Sequence, residues 1–198
     1  MGLAHKKPKF VSPEEYLAFE RDALDKHEYF NGEIFAMAGA GRRHNQTCTN
    51  LIHLIVSKIR DRKCSVYGSD MRVKVPSENY TYPDVVAVCG EELFEDKAED
   101  NLLNPLVIIE VLSNSTETYD RGAKLEQYQT IPSLREYVLI TQEPYRVEQF
   151  VRQDVNTWTN LEFRTADDAI RIESIDCELR LSDIYFKVEQ TFPKQIEA

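Results

Sequence analysis

Apolar and polar positions along this chain switch between a helical and a strand period, and the switches mark out its elements. Ser12-Pro13-Glu14-Glu15 predicts a helix start: Ser12 caps, Pro13 suits the first helical position, and Glu15 completes a capping box. Tyr16, Leu17, Phe19 and Leu24 follow at helical spacing. Asn31-Gly32 separates two short runs at 28–30 and 33–37. Both central residues of such a turn need positive φ, so this dipeptide predicts a hairpin. Residues 45–63 return to the helical period, with Leu51, Ile55 and Ile59 on one stripe and Ile52 and Val56 beside it.

Two strands are then expected. Residues 65–75 alternate in their second half, and residues 84–89 are almost continuously apolar, as a strand buried on both faces should be. Residues 90–104 are acidic and polar and read as an exposed excursion. A further apolar strand at 106–112 leads through Ser113-Asn114-Ser115-Thr116 into a helix running to about residue 130, with Leu125 and Tyr128 facing inward. Pro132 ends it, and residues 136–141 form another buried strand, so strand, helix and strand suggest a βαβ crossover. Amphipathic strands at 146–152 and 157–164 and a short helix near 181–185 complete the pattern. The expectation is a single α/β domain over residues 1–198, with an N-terminal helix and hairpin.

Composition narrows the class. A chain of 198 residues with 42% hydrophobic and 29% charged residues can bury a proper core and is too apolar for disorder. No apolar run approaches the roughly 20 residues that span a bilayer, so no membrane partner is expected. Lys6, Lys7 and Lys9 have no apolar stretch behind them, which argues against a signal peptide. Cys48, Cys64, Cys89 and Cys177 show no C-x-x-C spacing; this argues against a zinc knuckle or a disulfide scaffold and suits a reducing cytoplasm. The net charge of −10 speaks against nucleic acid, yet it is unevenly spread. Residues 1–75 hold 13 Lys/Arg against 9 Asp/Glu, a net of +4, and residues 76–198 hold 11 against 25, a net of −14.

Glu110 is the most informative position, a carboxylate inside Leu-Val-Ile-Ile-Glu-Val-Leu. An ionised Glu is rarely buried unpaired. It either points to solvent at the strand end, pairs with a buried Arg, or does chemistry. Asp84, in Tyr82-Pro83-Asp84, opens the preceding strand; Pro-Asp is also ordinary turn chemistry. Two carboxylates on neighbouring strands would make a hard oxygen site suited to Mg²⁺. Lys124 has a long enough stem to reach such a site, but it also follows Asp120 at i, i+4, the favourable order for a surface pair. Glu33 follows the hairpin turn and reads equally as a polar edge residue, and His44, beside Arg42 and Arg43, reads equally as a helix cap. Asp70 is a further acid with a weaker claim. Lys58, Arg60, Arg62 and Lys63 complement the negative end of their own helix. P-loop, dinucleotide, G-x-S-x-G and H-E-x-x-H motifs are absent.

Tyr82-Pro83-Asp84-Val85-Val86, then residues 106–113, then Thr116, Tyr119-Asp120-Arg121 and Lys124, then Tyr128 and Leu134-Arg135-Glu136-Tyr137 resemble a large bacterial family classed as restriction endonucleases. The family is common in photosynthetic bacteria and belongs to the PD-(D/E)XK restriction-endonuclease-like superfamily. The resemblance implies that superfamily's mixed β-sheet core flanked by helices, and a Mg²⁺- or Mn²⁺-dependent endonuclease acting on DNA. By the same resemblance Asp84 and Glu110 are metal-binding acids with the Val111 carbonyl nearby, a water attacks phosphorus, and a homodimer is the expected assembly. Leu112 stands where the superfamily has its lysine, and the family pattern implies that Lys124 supplies the ammonium instead. Asn114 stands where family members commonly have Pro. Glu33 and His44 become outer members of the site. Two other readings stay open: a degenerate nuclease-fold module with a binding or regulatory role, and a hydrolase of a small phosphorylated substrate.

Overall fold

The computed structural model describes residues 10–113 and 116–189. Asn114 and Ser115 of the expected turn, and the lysines at 6, 7 and 9, lie outside the described residues. Helix α1 (Pro13–Asp22) begins with the reciprocal capping box, Ser12 Oγ accepting from the Glu15 N–H and Glu15 accepting from the Ser12 N–H. Strands β1 (His27–Phe30) and β2 (Glu33–Ala36) form the hairpin, with φ of 50° at Asn31 and 88° at Gly32. Helix α2 (Arg42–Ile59) starts three residues earlier than its apolar stripe indicates.

The segment expected to be one strand at 65–75 divides into β3 (Cys64–Gly68) and β4 (Arg72–Lys74), which enter different sheets. Next come β5 (Tyr80–Thr81), β6 (Val85–Cys89), β7 (Asn101–Leu102) and β8 (Val107–Val111). Helices α3 (Glu117–Arg121) and α4 (Ala123–Gln129) replace the single helix expected there. Strands β9 (Glu136–Ile140), β10 (Val147–Arg152), β11 (Trp158–Phe163), β12 (Ala169–Ile172) and β13 (Cys177–Arg180) precede the short helix α5 (Leu181–Ile184).

The main sheet is mixed and runs β11-β10-β9-β8-β6-β3. β8 and β9 are parallel and are joined through α3 and α4, the expected βαβ crossover; the other pairs are antiparallel. Alternate residues of the central strands feed two cores. Val85, Ala87, Val107 and Ile109 pack with Leu51, Ile55 and Ile59 of α2, while Val86, Val88 and Ile108 pack with Tyr128, Ile131 and Leu134. Burial on both faces is why these strands read as continuous apolar runs. A second sheet, β2-β1-β5-β4-β7, carries the hairpin alongside.

Two expectations are corrected here. The acidic stretch 90–104 is not simply exposed: Asn101 and Leu102 are buried in β7, and Phe94 packs beside them. Its acids are taken up by bases from elsewhere in the chain, Asp96 and Asp100 by Arg21, Asp100 also by Arg72, and Glu95 by Lys74. The cysteines, which showed no spacing pattern, include a bonded pair. Cys64 and Cys89 face each other across β3 and β6, with Cα atoms 4.0 Å apart, and form a disulfide. Sequence spacing missed it because strand register, and not chain distance, brings them together. Among the described residues no helix is long and apolar enough to cross a membrane.

Candidate active site

The antiparallel register of β6 and β8 pairs Val85 with Ile109, so Asp84 and Glu110 come side by side where the two strands meet. The Asp84 N–H donates to Glu110 Oε2 at 3.3 Å, and the Val111 N–H donates to Asp84 Oδ2 at 2.8 Å. Glu110 falls on the face of β8 that Ile108 and Leu112 share, toward α4 and Tyr128. It is 4% exposed, which rules out a solvent-facing strand end. Among the described residues no Arg pairs with it.

Its partner is Lys124. The ammonium lies 2.9 Å from Glu110 Oε1, 3.1 Å from Glu28 Oε1 and 3.7 Å from Asp120 Oδ1. The i, i+4 contact with Asp120 is present, but Asp120 and Lys124 are 3% and 5% exposed, so this is no surface pair. Gly122 makes the arrangement possible. It separates α3 from α4, and a Cβ there would come within 3.0 Å of the Thr118 carbonyl oxygen. The break puts Lys124 on the first turn of α4. One turn later Tyr128 is fully buried and its hydroxyl hydrogen-bonds Glu110 Oε1 and Thr81 Oγ1, both at 3.0 Å.

Charge balance is the site's main electrostatic property. Glu28, Glu110 and Asp120 surround the single ammonium of Lys124, and Asp84 adjoins Glu110. Burial pushes the Glu110 carboxyl up to about 8; Lys124 opposes the shift, and Asp84 and Asp120 add to it. Burial also raises Asp120. Burial alone would lower the Lys124 ammonium, but Glu110, Tyr128, Glu28 and Asp120 reverse this and hold it well above its usual value. Lys124 therefore stays protonated, and the surplus of acids over this one cation is expressed as the raised Glu110 and Asp120 carboxyls. That surplus and the hard donor set of Asp84, Glu110 and the Val111 carbonyl fit a divalent cation such as Mg²⁺.

These groups line an open cleft of about 980 Å³ between the hairpin, the start of α2 and the ends of β6 and β8. His44 reaches it from the first turn of α2, with Nε2 3.0 Å from Asp84 Oδ2 and Nδ1 3.5 Å from Cys48 Sγ. Glu33 does not reach it: it is exposed on β2, opposite Phe30, and the hairpin contributes Glu28 instead. Asp70 is exposed and paired with Lys26. Arg43 pairs with Glu143 and Arg42 with Glu189. Lys58, at the far end of α2, lies about 21 Å along the helix from His44 at 1.5 Å per residue.

Sequence reasoning missed Glu28, Asp120 as a buried member, the Tyr128 hydroxyl and Cys48. Tyr128 stands i+4 from Lys124 and Cys48 i+4 from His44, and both spacings were readable signals. Glu28 had none, since only the packing of the hairpin against α4 brings it to Lys124.

The sequence profile of the family Uma2, described as "Putative restriction endonuclease", matches residues 13–182. Two relatives from Synechocystis, the uncharacterized proteins sll1609 and slr1290, are 40% and 34% identical to this chain. They align over 76% and 88% of it and over 85% and 91% of their own lengths. A crystal structure from Anabaena variabilis, described as a putative nuclease belonging to DUF820, superposes with a TM-score of 0.72 at 17% identity. The match covers 88% of this chain and 97% of that one, and establishes a shared fold. With its profile matched over most of its length, and with a mixed sheet flanked by helices like that structure's, this chain belongs to the Uma2 restriction-endonuclease family.

Proposed function

We propose that this protein is a Mg²⁺- or Mn²⁺-dependent endonuclease that hydrolyses phosphodiester bonds of DNA, working as a homodimer. One observation carries the reading: the Lys124 ammonium sits 2.9 Å from Glu110 in the same cleft as Asp84. Leu112, at the superfamily's lysine position, is buried in the core, and α4 delivers a cation to the same face of β8.

Asp84, Glu110 and the Val111 carbonyl would hold the metal, which supplies Lewis acidity toward the scissile phosphate when bound. Lys124, fixed by Glu28 and Asp120, places positive charge where negative charge develops on phosphorus. Tyr128 holds the Glu110 carboxylate by donating to Oε1, and His44 and the Val111 N–H hold Asp84. These contacts preorganise the acids, so little reorganisation is needed as the reaction proceeds.

The test is cleavage of supercoiled plasmid with Mg²⁺, Mn²⁺ or EDTA. Wild type should nick only with a divalent ion, and Asp84→Ala, Glu110→Ala and Lys124→Ala should each lose about 100-fold or more. Undiminished nicking by the Glu110 variant would overturn the assignment. Among the described residues, the lysines that line the cleft are Lys26 and Lys124, both already paired with acids. This scarcity of free cations favours a second reading, hydrolysis of a small phosphorylated substrate, whose mark would be phosphate release from nucleotides with DNA left intact. Metal-dependent DNA binding without cleavage would instead mark a degenerate binding module.

A further inference from the structure

We propose that His44, Cys48 and Asp84 form a second cation site, selective for a thiophilic divalent ion such as Zn²⁺, and that filling it withdraws Asp84 from the Mg²⁺ site and stops cleavage. The binding half stands on geometry alone; the inhibitory half rests on the role given to Asp84 above.

One ligand atom from each of the three residues lies within 4.8 Å of the other two. Ligand atoms around tetrahedral Zn²⁺ are roughly 3.3–3.8 Å apart, given bonds of about 2.0–2.3 Å, so the site needs to close by only about 1 Å. His44 and Cys48 are i, i+4 on α2 and therefore point the same way, with Nδ1 and Sγ already 3.5 Å apart. Asp84 meets the other ring nitrogen at 3.0 Å, so a shared ion bonds one of the two nitrogens and the side chains turn to bring the remaining donors onto it. All three are partly buried and line the cleft, so an ion reaches them from solvent and is partly desolvated once there.

Sulfur separates this site from its neighbour. Mg²⁺ prefers oxygen donors and gives up its water reluctantly, whereas Zn²⁺ gains most from a thiolate and an imidazole. On binding, the Cys48 thiol gives its proton to solvent, and water fills the fourth position. Asp84 belongs to both donor sets, so an ion held by Cys48 and His44 pulls the carboxylate toward α2 and away from Glu110.

Co²⁺ serves as the spectroscopic probe, added in the presence of excess Mg²⁺ to unreduced protein, in which Cys64 and Cys89 remain joined. A thiolate-to-cobalt charge-transfer band should saturate at one equivalent and vanish on adding Zn²⁺. It should be lost in Cys48→Ala and in the size-matched Cys48→Ser, kept in Cys177→Ala, and need at least about tenfold more Co²⁺ in His44→Ala. No band in wild type, or a band that survives both Cys48 variants, would overturn the site. In the second arm, one equivalent of Zn²⁺ is added to Mg²⁺-supported plasmid cleavage, each protein being compared with its own Mg²⁺ rate. Wild type should slow at least about tenfold and Cys48→Ala far less. Equal slowing of both, or acceleration of wild type, would overturn the switch. A Cys48-dependent band in a protein that cleaves no DNA would sink the nuclease reading and the switch with it, while the cation site would stand.

Discussion

Glu110 and Lys124 would each be costly alone in this interior, and each is tolerated because the other is there. Removing the cation should be the more damaging change, because it leaves Glu28, Asp120 and Glu110 facing one another. Lys124→Met is expected to destabilise the protein by about 3–5 kcal/mol, read by urea denaturation. A loss near zero would mean that the acids are not charged together. Glu110 also predicts a pH dependence. Its folded value of about 8 lies above its ordinary 4.5, so its protonated form favours folding. That stabilisation is complete below about 4.5 and is lost as pH rises through about 8. In EDTA, wild type should therefore lose Tm across this window relative to Glu110→Gln, which has no proton to release. Matching profiles would refute the shift.

At the scale of elements, the site depends on one register and one helix break. Because β6 and β8 pair Val85 with Ile109, the two acids meet; a slip of one residue would turn Glu110 toward α2 and its apolar core. Gly122 is the corresponding requirement on the other side, because the interruption between α3 and α4 sets the turn on which Lys124 stands. Gly122→Ala introduces a Cβ about to collide with the Thr118 carbonyl oxygen. It should cost about 1–3 kcal/mol and move Lys124, so nicking falls more than stability alone explains. Full activity at temperatures well below its Tm would show that the break is not needed for catalysis.

Over the whole molecule, the excess of acid is not a uniform surface property. Part of it is paired with Arg21, Arg72 and Lys74 around β7, and part is concentrated in the cleft. The basic group near Lys58 is at the far end of α2, where Arg62 bonds Asp176, and its distance along the helix keeps it from a phosphate held in the cleft. The disulfide gives a simple global test. Unreduced, denatured protein should titrate two thiols, Cys48 and Cys177, and four after reduction. Closing a loop of 25 residues should contribute about 3 kcal/mol, which reduction would remove. Four thiols without reductant would refute the pairing.

The division between what was legible and what was not follows from the range of the forces involved. The capping box at Ser12, the Asn31-Gly32 hairpin, the doubly buried central strands and the crossover from β8 to β9 are local or periodic signals, and the sequence determined them by itself. It also marked Glu110 as chemically unusual, with Asp84 as its companion, since charge in an apolar run can be read along the chain; Lys124 stood out only through the family resemblance. The second sheet escaped notice because β5 and β7 are only two residues long and carry no period. Tertiary structure alone exchanged Glu33 for Glu28, joined Cys64 to Cys89 and brought Cys48 and His44 against Asp84. Those outcomes depend on which faces pack and in what register, and contacts between residues far apart in the chain leave no spacing to read.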